Sequence, residues 1–313
     1  MRRTLLSFLS LLVLVLALGA CGSSNSSSSS STSSSVPKGT PGKGKPAVTL
    51  GDKNFTEEYI LGYLYKQALE AKGYRINLKA NIGSSEITDK ALTSGKINMY
   101  PEYTGVIVQE LKGSSKQPTS AQQTYNEAKQ WEQGRGFTLT KATPFQDKDV
   151  LATKKDFASK NNLKAIPDLK KLKTWSLGGP PENKTRYQGV VGLHKAYGLT
   201  NLTFKPLTIG LQYQALNQGK VDVATVFSTD GQLAKHQYTL LADPKGIFGY
   251  QNVAMVLKPS LLKKEGPAFA QTINAVSAKL TNQAMQQMNA AVDINKLQPQ
   301  DVAKKFLQAN GLI

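Results

Sequence analysis

Apolar residues recur along the chain with two different periods, and their order predicts a folding unit that alternates strands and helices. Residues 48–51 have the pattern of a short buried strand, and residues 57–71 carry apolar side chains at helical spacing. A second strand is predicted over residues 75–80, a helix over 84–93 and a third strand from residue 97. This order predicts a parallel α/β sheet with right-handed crossovers.

The unit occurs twice in the chain. Ala91–Met99, with the sequence ALTSGKINM, aligns with Ala215–Val223, with the sequence ALNQGKVDV. Both segments have the pattern of a helix end, a glycine stop and a short strand. When the alignment is continued, Tyr103 falls on Phe227, so an aromatic residue leaves the strand at the same point in both copies. The preceding elements of the second copy are predicted at residues 175–178, 187–197, 202–207 and 209–217.

The ends of these strands predict the position of a binding site. In open parallel sheets, ligands lie beyond the carboxyl ends of the strands. The loops after Leu50, Met99 and Val226 all follow such ends. If the two sheets face each other with these edges, they form a cleft, and aromatic residues that leave the strands there line it.

The first 46 residues differ in composition from the rest. Residues 1–20 have a basic tip, an apolar run and small residues, which predict a secretory signal peptide. Leu18–Cys21, with the sequence LGAC, resembles a bacterial lipobox, which implies that Cys21 is lipidated and becomes the mature first residue. The alternative is a plain signal peptide with a chance cysteine. Residues 21–46 are rich in serine, glycine, proline and lysine, so we predict a flexible tether.

The remaining chain is long enough for two compact lobes. We predict the first lobe at residues 47–146 plus 252–313 and the second at residues 147–251. The chain then crosses between the lobes near residues 143–150 and 246–254, and these crossings are the expected hinge. No stretch after the signal peptide is apolar and long enough to span a bilayer. We therefore expect an extracytoplasmic protein anchored to the cell membrane by lipid.

Composition argues against an enzyme, a metal site and a cofactor. The chain has two histidines, His194 and His236, and they are far apart in sequence. It therefore offers few of the histidine ligands or bases that metal clusters and Ser-His-Asp arrangements need. The formal charge is +18, from 39 basic and 21 acidic residues. Because the lysines are scattered and not interleaved with aromatic residues, no nucleic-acid site is predicted, and a solvated face near an anionic membrane is favoured.

Three segments resemble the solute-binding lipoproteins of osmoprotectant ABC importers, which bind glycine betaine, choline or carnitine. They are GDKNFTEEYILGYLYKQALEAKGY at residues 51–74, ALTSGKINMYPEYTG at 91–105 and VFSTDG at 226–231. The resemblance extends from about residue 48 to the C-terminus. It implies a type II periplasmic-binding-protein fold with two α/β lobes and a cleft, and an ABC permease with its ATPase as partners. We expect the protein to be a monomer.

The family binds its ligand in an aromatic cage, and the resemblance assigns three residues to it. Tyr103 matches one wall, Phe227 stands where the family often has tyrosine, and Tyr250 matches another tyrosine before the chain returns to the first lobe. A quaternary ammonium group donates no conventional hydrogen bond, so ring faces must hold it. Each face contributes about 0.5–2 kcal/mol, depending on desolvation.

The fourth wall departs from the family pattern. Where the family commonly has a tyrosine in an NxTYA segment, residues 145–151 read FQDKDVL and contain none. Asp149 is the nearest positional match, within one residue, and its carboxylate is able to pair with a cation. This arrangement favours a ligand with net positive charge, such as choline, over a zwitterionic betaine.

Lys53 and Asn54 follow the first predicted strand at the start of a helix. A lysine beside a helix N-terminus suits a ligand carboxylate, and the family places polar groups there for that purpose. The alternative is a structural role, in which Thr56 or Asn54 caps the helix.

Two other functions remain open at this stage. The same cleft, with three aromatic walls and an acidic group, suits a different cation or a flat aromatic solute. A surface lipoprotein that binds a protein or a cell-wall polymer, and transports nothing, is the third interpretation.

Overall fold

The computed structural model describes residues 37–313 apart from Ser115 and His236. The predicted signal peptide and Cys21 lie outside the described residues, as does His236. Part of the segment predicted as a tether contacts the folded chain. The backbone N–H of Gly42 donates to the carbonyl of Lys72 at 2.9 Å, and the Lys45 ammonium donates to the carbonyl of Lys264 at 2.8 Å.

The secondary structure follows the predicted alternation. The strands are β1 (Ala47–Gly51), β2 (Arg75–Lys79), β3 (Met99–Tyr103), β4 (Thr138–Leu139), β5 (Asp149–Lys154), β6 (Trp175–Gly179), β7 (Leu202–Pro206), β8 (Val223–Phe227), β9 (Tyr238–Leu241) and β10 (Val253–Leu257). The α-helices are α1 (Thr56–Glu70), α2 (Ser85–Thr93), α3 (Thr104–Val106), α4 (Ala121–Gly134), α5 (Lys155–Lys160), α6 (Gly192–Tyr197), α7 (Gln212–Asn217), α8 (Pro259–Glu265), α9 (Pro267–Ser277), α10 (Asn282–Asp293) and α11 (Pro299–Ala309). Shorter helical turns cover Ile107–Leu111, Ile166–Lys171, Pro181–Lys184, Tyr187–Val191 and Gly231–Lys235.

The strands form two five-stranded sheets with the same plan. One sheet has the order β2-β1-β3-β10-β4, and the other has the order β7-β6-β8-β5-β9. In each sheet the three strands joined by helices are parallel, as the repeat predicts. The other two strands, β10 and β4 or β5 and β9, complete each sheet through antiparallel pairs, so both sheets are mixed.

The strands that end in aromatic residues occupy the centre of each sheet. Tyr103, at the end of β3, pairs with Val253 of β10, and Phe227, at the end of β8, pairs with Asp149 of β5. The antiparallel partner strands, β10 in the first sheet and β5 in the second, each begin directly after the chain has crossed into that lobe. The duplicated plan therefore places the two aromatic residues at equivalent positions beside the inter-lobe crossings.

The two crossing segments lie side by side. Gln146 and Asn252 form an isolated antiparallel bridge, and the backbone N–H of Asp147 donates to the carbonyl of Gln251 at 3.1 Å. The first sheet and helices α8–α11 form one lobe, and the sheet that contains β5–β9 forms the other.

The buried apolar residues of each lobe form two clusters. In the first lobe, α1 packs against α9, α10 and α11 over a core that includes Leu50, Ile60 and Leu64, all fully buried. In the second lobe, Trp175 and Leu193 belong to the corresponding core. Within residues 37–313, Ser115 and His236 excepted, the helices are too short or too polar to cross a bilayer.

Candidate functional site

A cavity lies between the two lobes, at the carboxyl ends of β1, β3, β6 and β8. We call it the aromatic cavity. Its lining residues are Lys53, Asn54, Phe55, Ser84, Ser85, Tyr103, Val106, Asp147, Asp149, Pro180, Glu182, Asn183, Arg186, Gln188, Ile209, Phe227 and Gln251. Five of the six ligand-binding residues predicted from the sequence are therefore brought together here.

Three aromatic rings form a row in this cavity. The Phe55 ring is the central one, with its centroid 6.3 Å from that of Tyr103 and 5.9 Å from that of Phe227. The ring planes are inclined by 22° and 13°, so the rings lie nearly parallel. Phe55 and Tyr103 belong to the first lobe and Phe227 to the second. The aromatic surface is therefore built from both lobes.

Phe55 was not predicted from the sequence. It lies inside the motif KNFTE and occupies the N-cap position of α1 with an extended backbone, φ −148° and ψ 162°. The position of Phe55 between a strand end and a helix start was the available signal, since β1 ends only four residues earlier. The same position also suits capping of the helix by Thr56 or Asn54. The capping interpretation is wrong, because no side chain caps α1 and the Thr56 hydroxyl instead donates to Asp293 at 2.6 Å.

Lys53 lines the cavity, but its charge is already paired. Its ammonium group lies 3.3 Å from Glu58 and also forms an ion pair with Glu102, and all three side chains are buried. The same ammonium lies 4.2 Å from the centroid of the Tyr103 ring. Burial raises the pKa of Glu58 to about 8, and the Lys53 charge opposes that shift. The predicted contact between Lys53 and a ligand carboxylate stays a prediction. Asn54, its neighbour in the lining, also stays a predicted ligand contact.

Asp149 lies beside Phe227, because the two residues are paired across β5 and β8. Burial raises the pKa of the Asp149 carboxyl to about 7, while the Arg186 guanidinium lowers it. A bound cation next to Asp149 favours the ionised carboxylate and therefore lowers this pKa. Asp149 is among the lining residues, and its role as the counter-charge stays a prediction.

Tyr250 does not line the aromatic cavity. Its hydroxyl donates to the carbonyl of Thr119 at 3.0 Å, and the Lys148 ammonium lies 4.9 Å from its ring centroid. These contacts hold the ring against the segment before α4. In this structure the Tyr250 ring is separate from the row of three, and its role in the cage stays a prediction.

Arg186 is the second cation in the lining, and it connects the lobes. Its Nε and Nη2 atoms donate to the two carboxylate oxygens of Glu86, at 3.0 and 2.9 Å. Bidentate pairing of this kind is strong and geometrically specific. It lowers the pKa of Glu86 to about 2 although burial opposes that shift. Arg186 was not predicted from the sequence.

Charged side chains of both signs line the cavity. Asp149 and Glu182 line it together with Asp147, whose pKa burial raises well above its ordinary value. Its two cations, Lys53 and Arg186, are both paired with other carboxylates. A ligand with a permanent positive charge gains attraction from the carboxylates. A ligand carboxylate has to compete for Lys53 or Arg186. Within the described part of the chain, no cluster of three or more His, Cys, Asp or Glu residues is arranged to hold a metal ion.

Comparison with known proteins gives a consistent set of similarities. The family described as the substrate binding domain of ABC-type glycine betaine transport system matches residues 46–309. The glycine betaine-binding protein YehZ of Escherichia coli (strain K12) is 30% identical over 278 residues, which cover 84% of this chain and 90% of the relative. The carnitine transport binding protein OpuCC of Listeria monocytogenes is 27% identical over a match that covers 87% of this chain and 90% of the relative.

Solved structures share the fold. A glycine betaine/carnitine/choline ABC transporter structure superposes with a TM-score of 0.68 at 27% identity, over 85% of this chain and 99% of the other. Apo YehZ from Escherichia coli superposes with a TM-score of 0.63 at 28% identity, over 85% of this chain and 99% of the YehZ chain. These matches, together with the two mixed sheets, confirm the predicted two-lobed α/β binding-protein fold.

Proposed function

Since this chain belongs to the family of substrate binding domains of ABC-type glycine betaine transport systems, we propose that it binds a quaternary ammonium compound with net positive charge in the aromatic cavity. The family resemblance found in the motifs is confirmed, and the protein is a substrate-binding component of transport, not an enzyme. Choline has the chemistry that fits best. Its trimethylammonium head suits the ring faces, and it carries no carboxylate that must compete for Lys53 or Arg186.

The observation that carries the proposal is the row of Phe55, Tyr103 and Phe227 with Asp149 beside it. Aromatic faces attract a cation that cannot donate a hydrogen bond, by about 0.5–2 kcal/mol per ring. The neighbouring carboxylate adds a charge contact.

Calorimetric titration of the full chain tests this function. We expect saturable binding of choline, weaker binding of glycine betaine and carnitine, and loss of at least about tenfold in choline affinity for Tyr103→Ala, because the variant removes one ring face and a buried hydrogen bond. Tyr125→Ala is the matched control, since Tyr125 is a partly buried tyrosine of the same lobe whose hydroxyl donates to Thr140 outside the cavity. Equal losses in the two variants would contradict a ligand contact at Tyr103.

A flat aromatic solute is the second candidate. Two of the three rings are phenylalanines, which present unsubstituted faces for stacking. A relative in Helicobacter pylori (strain G27) is named as an ergothioneine transport permease and binding protein. That relative is 28% identical over 271 residues, which cover 86% of this chain and 48% of the relative. Ergothioneine therefore belongs in the same titration series. Because ergothioneine itself carries a trimethylammonium group, binding of ergothioneine alone would show that the ligand needs an aromatic ring as well as the ammonium head. No heat from any compound would favour a lipoprotein that binds a macromolecule.

The proposed context is a lipid anchor and a membrane permease. We propose that Cys21 carries the lipid and that the closed protein delivers its ligand to an ABC permease driven by its ATPase. Mass spectrometry of the mature N-terminal peptide tests the anchor. A diacylated Cys21 is expected, and Cys21→Ser is expected to move the protein from the membrane fraction to the medium or periplasm. An unmodified Cys21 in a membrane-bound protein would contradict this anchor.

A further inference from the structure

Glu57 lies behind the row of aromatic rings and is shared by both lobes. It is the second residue of α1 and is only 3% exposed. One carboxylate oxygen accepts a hydrogen bond from the Tyr103 hydroxyl at 2.7 Å. The other accepts from the Thr229 hydroxyl at 2.6 Å and from the side-chain amide of Asn289 at 3.0 Å. Tyr103 and Asn289 belong to the first lobe, whereas Thr229 belongs to the second.

Thr229 is bound to the first lobe a second time. The Asn289 side-chain amide that contacts Glu57 also donates to the Thr229 carbonyl at 3.0 Å. Thr229 follows Phe227 by two residues, so its position fixes the end of the strand that supplies the third ring. Its backbone N–H donates to Asp147 at 3.1 Å, in the crossing segment between the lobes. The contact therefore connects the ring row with the hinge.

The chemistry of Glu57 makes this contact sensitive to closure. A buried carboxylate that lacks hydrogen-bond donors is unstable, and each donor to a charged group contributes strongly. Thr229 is the donor that only the docked second lobe supplies. Burial raises the pKa of Glu57, and its three hydrogen bonds together with the Lys53 charge lower it. Separation of the lobes therefore removes one of the groups that stabilise the ionised carboxylate.

We propose that the Glu57 carboxylate is an inter-lobe latch that couples the orientation of the Tyr103 ring to closure of the second lobe. Glu57 is a positioning residue in this account, because it acts through Tyr103 and Thr229 and does not line the aromatic cavity. When a ligand orders the Tyr103 ring, the hydroxyl of that ring holds Glu57 in the position that receives Thr229. The inference rests on the proposed function for its ligand, but the latch itself is a property of the two lobes.

A double-mutant cycle tests the latch. Thr229→Val removes the hydroxyl of the second lobe, and Tyr103→Phe removes the hydroxyl of the ring but keeps its face. We expect each variant of the full chain to bind choline about five- to tenfold more weakly, mainly through faster dissociation. Because both hydroxyls act through one carboxylate, the double variant is expected to lose clearly less than the product of the two single losses.

Thr153→Val is the matched control for Thr229→Val. The Thr153 hydroxyl is buried and donates to the carbonyl of Asp222 at 2.6 Å, but both residues belong to the second lobe. This variant loses an equally short hydrogen bond without touching the interface, so its choline dissociation rate is expected to equal that of the wild type. A purely structural role for Thr229 would make the two threonine variants behave alike.

Small-angle X-ray scattering of the ligand-free proteins gives a second readout that does not depend on the ligand. We expect Thr229→Val to have a larger radius of gyration than the wild type, and Thr153→Val to match the wild type. Equal radii for all three proteins, or single losses of affinity that multiply fully in the double variant, would overturn the latch. If the wild type binds none of the compounds, the proposed function is wrong, and the scattering comparison alone then decides the latch.

Discussion

The Phe55 ring of the first lobe stacks on the Phe227 ring of the second, with centroids 5.9 Å apart and ring planes inclined by 13°. The aromatic surface is therefore complete only when the lobes meet. An open cleft separates Phe227 from the other two rings and exposes all three to water. Ligand capture by this surface and closure of the lobes thus depend on each other, which is the expected behaviour of a hinged binding protein.

The ring faces, and not only their apolar volume, are expected to hold the ligand. Phe227→Leu keeps an apolar side chain but removes the aromatic face, so choline affinity is expected to fall about three- to tenfold. Phe227→Tyr keeps the face and is expected to stay within about twofold of the wild type. Calorimetry measures both. Phe204→Leu, in β7 and outside the aromatic cavity, is the control, and an equal loss there would contradict the interpretation.

Asp149 is expected to select for net positive charge. Asp149→Asn removes the charge contact while keeping the size of the side chain, so choline affinity is expected to fall about tenfold. Glycine betaine, whose own carboxylate is repelled by Asp149, is expected to lose less. The ratio of the two affinities, measured by calorimetry, is the deciding quantity. Asp156→Asn, an exposed acidic residue of the same lobe, should leave the ratio unchanged. A ratio that is also unchanged in Asp149→Asn would exclude Asp149 as the counter-charge.

The same residue predicts a pH dependence. Burial raises the pKa of Asp149 to about 7 in the unliganded protein, so the carboxyl is mostly protonated below that pH. A bound cation favours the ionised form, and binding therefore releases a proton near neutrality. Choline affinity is expected to rise as pH increases through about 7. Titrations from pH 5.5 to 8.5 in buffers of different ionisation enthalpy check this result. Asp149→Asn should flatten the profile, and an equally steep profile in that variant would assign the proton to another group.

Lys53 is expected to stabilise the fold more than it determines the charge of the ligand. Lys53→Met leaves Glu58 and Glu102 buried without their cation, so the free energy of unfolding is expected to fall by about 3–5 kcal/mol. Denaturant unfolding measures this loss. Lys79→Met, at an exposed position of β2, is expected to change it by less than about 0.5 kcal/mol.

The affinity data for Lys53→Met distinguish the two roles. If the Lys53 charge is used within the protein, the ratio of choline to glycine betaine affinity stays close to that of the wild type. A variant of normal stability that loses only glycine betaine binding would instead support the contact with a ligand carboxylate that the sequence suggested.

The internal repeat explains why the position of two rings was predictable. Tyr103 and Phe227 align when the two copies are superposed in sequence, and the sheets place them at equivalent ends of β3 and β8. Strand periodicity and the glycine stops are local signals, so the sequence records them directly. The three parallel strands of each sheet follow from the same repeat. The strands β4, β5, β9 and β10, which pair antiparallel, lie outside the repeat and were not predicted from it.

The remaining features of the site depend on contacts between distant parts of the chain. Phe55 has no counterpart in the second copy, and its motif also fits a helix start. The pairing of Lys53 with Glu102 joins residues 49 positions apart, and that of Arg186 with Glu86 joins residues 100 positions apart. Nothing in the local pattern around Lys53 or Arg186 indicates that each charge already has a partner. The direction of the Tyr250 ring is set by Thr119, which is equally remote in sequence.

A crystal structure of the protein with choline bound tests the central claim most directly. The measurement is the distance from the choline nitrogen to the ring centroids of Phe55, Tyr103 and Phe227. We predict that the nitrogen lies within about 6 Å of at least two of these centroids, with Asp149 as the nearest carboxylate. Choline bound elsewhere, or a closed structure in which these rings point away from the ligand, would contradict the account.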